Sequence, residues 1–100
     1  MEDSEILEAY FSSPRKRIAL QRLARCDAAS LESLQRAAVR RYASRTLTLS
    51  ELKVFAHDMA AVCPSPEGQR LYLGLSSVNQ CCVRNPNVEA KALLQDWLEG

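Results

Sequence analysis

TLSELKVFAHDMAAV, residues 48–62, opens with Thr48 and places Glu51 three positions later. This is the spacing of a capping box. The threonine hydroxyl accepts from the N3 amide while the glutamate reaches back to the cap amide. Leu47 and Leu52 stand at N′ and N4, where two apolar side chains staple the chain as it enters a helix. Leu52, Phe55, Met59 and Val62 then recur with the period of one buried helical face, and Pro64 stops the run. Start, face and stop agree on a helix.

Similar signals extend in both directions. Ser65-Pro66-Glu67 starts a helix with Ser as N-cap and Pro at N1, running to about Arg84 on Leu71, Leu75, Val78 and Cys82. Asn85-Pro86 opens another, with Ala90, Leu93, Leu94 and Trp97 inward. Toward the N-terminus, Asp27 caps a helix with the stripe Leu31, Leu34, Ala38 and Tyr42. Ser13-Pro14 repeats the Ser-cap and Pro-N1 pattern for a helix that reaches about Arg25 and buries Leu20, Leu23 and Ala24. The first segment covers about Ser4–Ser12, with Ile6, Leu7, Tyr10 and Phe11 on one face. Leu71–Leu75 alternates like a strand, but the Ser-Pro before it and the helical stripe after it favour helix. The sequence therefore predicts an all-α fold: a compact bundle of five or six short helices, one domain over residues 1–100.

Composition supports the same reading. With 47% hydrophobic and 25% charged residues, the chain has apolar surface enough to offset the entropy of ordering, so disorder is excluded. A chain of this length buries roughly 60–65% of its unfolded surface. The acidic start MEDSEILEAYF lacks the basic and apolar regions of a signal peptide, and no apolar run approaches the ~18 residues of a membrane span. A cytoplasmic protein is expected, and in that compartment Cys26, Cys63, Cys81 and Cys82 are free thiols.

Few residues offer chemistry. Zinc ligands come as pairs spaced to converge on one ion, whereas the adjacent Cys81 and Cys82 diverge by about 100° on a helix. The cysteines read as small buried thiols. His57, the one histidine, lies opposite the Phe55–Met59 stripe and six residues from Cys63, which reads as a solvated side chain. No GxSxG, HExxH, Walker A or GxGxxG pattern occurs. The expectation is a protein that is not an enzyme, with no metal and no cofactor.

Charge is distributed unevenly. Residues 1–13 hold Glu2, Asp3, Glu5 and Glu8 and no base. Residues 14–45 hold Arg15, Lys16, Arg17, Arg22, Arg25, Arg36, Arg40, Arg41 and Arg45 against Asp27 and Glu32. Arg36–Arg40 and Arg41–Arg45 are like-charged i,i+4 pairs, each unfavourable by a few tenths of a kcal/mol. Either the acidic first helix folds back to neutralise this face, or an anionic partner does. Leu73, Val39, Val54 and Leu49 lie off the main stripes, and Gly74, Ser77 and Cys81 form a small-residue strip. These mark helices buried on two sides or a surface for association.

The predicted function is a non-catalytic protein–protein interaction module: an adaptor, chaperone or inhibitor. Arg36, Arg40, Arg41, Arg45, Arg15, Arg17 and Leu73 are the expected contact residues, because arginine forks bind carboxylates bidentately. The partner is another protein with an acidic surface, with no membrane involved, and a homodimer is compatible. The alternative is a nucleic-acid-binding regulator that places the same arginines on phosphates. It ranks second, because the turn after the third helix lacks Gly and no aromatic platform accompanies the arginines.

Overall fold

The computed structural model describes residues 2–76, which form five α-helices and no strand. In chain order these are α1 (Asp3–Ser12), α2 (Lys16–Leu23), α3 (Ala28–Ala43), α4 (Leu49–Val62) and α5 (Pro66–Ser76). The fold is an all-α bundle. The expected run of the fifth helix to Arg84, the sixth helix opened by Asn85-Pro86, and Cys81 and Cys82 lie outside the described residues.

α4 is the central element, packing against α2, α3 and α5. Its capping box is complete: Thr48 Oγ1 accepts from the Glu51 amide at 3.2 Å, and the Thr48 amide donates to Glu51 Oε1 at 3.1 Å. Those hydrogen bonds from Thr48 hold the Glu51 carboxyl below its ordinary pKa. Leu47 and Leu52 are both buried, as a staple requires. Beyond this start α4 buries Phe55, Ala56, Met59 and Ala60. Cys63, held extended ahead of Pro64, ends the helix and is itself buried.

α1 lies over this core through Ile6, Leu7 and Tyr10. The Tyr10 and Phe55 rings meet edge to face with centroids 5.0 Å apart, and Phe11 packs edge-on against Tyr10 at 4.8 Å. Such pairs add about 0.5–1.5 kcal/mol to the burial of their area. Lys16 lies 5.5 Å from the Tyr10 centroid and 5.2 Å from that of Phe11, placing a cation at the edge of the aromatic group.

Three expectations are corrected and one left open is decided. α2 begins at Lys16, not Pro14, and ends at Leu23, short of Arg25. Ser13 is committed to closing α1, its amide donating to the Tyr10 carbonyl, while Pro14 holds it extended. Its hydroxyl therefore accepts from the Arg15 amide in a tight turn, and Arg15 becomes the N-cap without a side-chain bond. The chain then leaves α2 early to bring Asp27 into place. Asp27 Oδ1 accepts from the Ser30 amide at 2.8 Å, which caps α3 and lowers the Asp27 pKa.

The second concerns Val39: it is fully buried, which is the two-sided burial that the off-stripe residues allowed and not a surface for association. α3 packs against both α1 and α4, so its buried arc widens to Leu31, Leu34, Gln35, Ala38 and Val39. Gln35 is an amide in this apolar arc, and neither of its side-chain polar atoms has a hydrogen-bond partner among the described residues. Third, α5 turns Tyr72 and Leu75 inward while Leu71 is half-buried. Burial of the Tyr72 hydroxyl pushes its pKa up to about 12. The first turn of α5 sits so close to the end of α4 that a Cβ on Gly68 would lie 2.5 Å from Cys63 Sγ. Fourth, Cys26 is exposed, because it falls in the connection between α2 and α3.

Candidate functional site

The expected contact residues divide into two groups once the helices are packed. Arg41 turns toward the protein, and Arg17 reaches a buried carboxylate with about half of its side chain still exposed. Arg41 Nη2 donates to the Ser4 carbonyl and to Ser4 Oγ, both at 3.2 Å, and lies 4.0 Å from Glu8 Oε1. Its side chain is only 27% exposed. α1 therefore does fold back over α3, as the charge asymmetry allowed. Among the described residues the ion pair it supplies goes to Arg41 alone. Ser33 Oγ donates to Asp3 Oδ2 and fixes the other end of the same helix crossing.

Arg17 belongs to a cluster that the sequence reading missed. Asp58 of α4 is buried, and its Oδ2 accepts from the Tyr10 hydroxyl at 2.6 Å. Arg17 Nε stands 3.6 Å from Asp58 Oδ1, and His57 Nδ1 4.0 Å from the same oxygen. Desolvation and the hydrogen bond to Asp58 raise the Tyr10 pKa far above its ordinary value. The phenol is thus a fixed donor across the bundle. The cluster ties α1, α2 and α4 together. One signal was available: Asp58 lies between Phe55 and Met59, at the edge of an apolar stripe.

Arg45 stands apart from the other arginines. The helix stops at Ala43, so the expected like-charged pair Arg41–Arg45 does not share a helical face. Arg45 has φ 63°, the left-handed position after a helix end that glycine usually fills. The Arg45 amide donates to Tyr42 O and the Thr46 amide to Arg41 O, the paired bonds of a Schellman cap. No glycine is needed for that turn, although one would fit it better.

The remaining arginines face outward. Arg36 is half-exposed and paired with Glu32 at 3.0 Å on its own helix. Arg15, Arg22, Arg25 and Arg40 are exposed and make no salt bridge among the described residues. Three hollows connect them. Arg15 and Arg22 border one beside α2, Arg25 borders the next, and Arg36 and Arg40 border the third on α3. Leu23 lines the first and second, and Asp3 lines the second and third, so the hollows are contiguous. Ile18 of α2 is exposed within the first, which the stripe analysis did not anticipate. Leu73 is exposed as expected, but it stands on α5 and lines none of the three.

No known protein family, curated protein or solved structure matches this chain. Its surface must therefore be read on its own chemistry. His57 is exposed, as expected, and Cys63 is buried and 3.8 Å from the Ser65 carbonyl. Among the described residues, no three His, Cys, Asp or Glu side chains are grouped to hold a metal ion, and no helix is long and apolar enough to cross a membrane. Acids interleave with the arginines along the hollows: Asp3 beside Arg25, and Glu32 beside Arg36 and Arg40. Asp3 and Glu32 therefore break the positive charge of these hollows into separate sites, and any anion placed there meets both signs.

Proposed function

We propose that the chain is a non-catalytic, cytoplasmic protein-interaction module that docks an acidic partner protein on the basic face of α2 and α3. One observation carries this reading. Four arginines on contiguous hollows have no salt-bridge partner among the described residues, whereas Arg17, Arg36 and Arg41 each have a carboxylate within the chain. Guanidinium groups held on helices and left unpaired suit carboxylates of another protein, because the planar fork matches them bidentately. Arg36 and Arg40 form the α3 part of that face, and Arg15 and Arg22 the α2 part. Arg17 and Arg41 are tied to carboxylates of the chain itself and make no partner contact in this reading.

The test is affinity capture with the tagged full chain and with an Arg36→Glu/Arg40→Glu variant, after nuclease treatment of the extract. The expected result is one acidic protein retained by the wild type and lost in the variant, with the helical circular dichroism of both chains equal. Capture that is unchanged in the variant, or that disappears with nuclease, would overturn the proposal. Charge reversal at Arg41 is unsuitable for this test, because it would break the contact between α1 and α3.

A further inference from the structure

We infer that the groove beside α2 receives an amphipathic helix of the partner, seating one aliphatic side chain on Ile18 between two carboxylates held by Arg15 and Arg22. This rests on the interaction-module reading above and names the chemistry of the partner. The groove has a volume of about 420 Å³ and lies between α1 and α2. Ala9, Pro14, Ile18 and Leu23 give it an apolar floor, and Ile18 is 40% exposed there. That volume is in the range of about 300–1,000 Å³ typical of sites that bury a compact group.

Position and charge select the occupant. Arg15 precedes Ile18 by three residues and Arg22 follows it by four, so the guanidinium stems leave the chain about one helical turn on either side. Neither has a salt bridge among the described residues. The matching ligand is a helix with Glu or Asp one turn before and one turn after a Leu, Ile or Met, its anchors on one face. A phosphate backbone would satisfy the arginines and leave the apolar floor uncovered. Of the described helices of a second copy, α1 carries the most acids, but its large apolar residues Ile6 and Leu7 are buried in its own core. It would bring Glu5 and Glu8 without an anchor.

The experiment uses a fluorescent, lactam-bridged helical peptide with Leu flanked by Glu at −3 and +4, titrated with the full chain. Two control peptides replace both Glu by Gln, or Leu by Ala. Saturable binding is expected to weaken at least about fivefold for either control, for Ile18→Ala and for Arg15→Gln/Arg22→Gln. An Arg15→Glu/Arg22→Glu chain should in turn prefer the peptide carrying Lys at both flanking positions. Absence of binding, or binding indifferent to Ile18 and to the Leu anchor, would overturn the inference. So would a short DNA duplex that competes in an Ile18-independent way. If the peptide fails while Arg36→Glu/Arg40→Glu still abolishes partner capture, the groove assignment falls and the module reading stands.

Discussion

Arg17 and Arg41 occur in the same basic stretch as Arg15, Arg22, Arg25 and Arg40, yet the two sets end in different surroundings. Arg17 meets buried Asp58, and Arg41 meets Glu8 and Ser4 across the contact of α3 with α1. The others face solvent over a chain of hollows without a salt bridge among the described residues. A run of positive charge is therefore no single object. Part of it is tied to carboxylates across the bundle, and part of it carries no salt bridge among the described residues. Helical phase separates them, because a residue's neighbours across a bundle follow from the direction its side chain leaves the helix.

The largest effect should come from removing the buried carboxylate that pairs with Arg17. Asp58→Ala orphans the buried Tyr10 hydroxyl and releases Arg17, and should lower the unfolding free energy by about 2–4 kcal/mol in urea denaturation. A loss under about 0.5 kcal/mol, the scale of an ordinary surface change, would place Asp58 with the outer residues. Tyr10→Phe keeps the ring packing and deletes only the bond to a charged acceptor, for an expected loss of about 1–3 kcal/mol. Arg41→Ala should cost about 0.5–1 kcal/mol, a partly exposed ion pair reinforced by hydrogen bonds to Ser4.

Arg45→Gly is expected to move stability the other way, by about 0.5–1 kcal/mol in the thermal midpoint, since glycine relieves the left-handed backbone at that position. A loss on this substitution would mean that the Arg45 side chain holds the turn. At the small end, Arg15→Ala, Arg22→Ala and Arg40→Ala should each change stability by less than about 0.5 kcal/mol. A larger loss at any of them would move that residue into the set with Arg17 and Arg41 and weaken the case for docking there.

The contrast also marks what the sequence makes legible. Elements whose signals are local could be read directly: the α4 capping box, its Leu47–Leu52 staple and the Asp27 cap all form as their spacing requires. Where one residue serves two elements, local reading fails. Ser13 carries the pattern of an α2 cap, but it closes α1 instead. The phase of α5 and the burial of Val39 depend on how many neighbours each helix has, which periodicity alone does not encode. The basic face was visible as composition, and Arg36, Arg40 and Arg15 stay on it. Pairing Arg17 and Arg41 within the bundle required Asp58, Tyr10 and Ser4: Asp58 is 41 residues from Arg17, Tyr10 is 48 from Asp58, and Ser4 is 37 from Arg41. Ile18 was likewise unmarked, because α2 buries only Leu20 completely and leaves the rest of its apolar side chains at the surface or half-covered.

Protein docking on this face is tested most directly against its nearest competitor, phosphate binding. Fluorescence anisotropy of a labelled DNA duplex and of a single-stranded RNA would be followed during titration with the pure full chain, at roughly 50 and 200 mM salt, the span over which phosphate contacts lose most of their strength. The proposed docking of an acidic protein predicts no saturable binding of either nucleic acid at the lower salt. Binding that is tight at the lower salt, falls steeply at the higher and vanishes in Arg36→Glu/Arg40→Glu would contradict it and assign the face to nucleic acid.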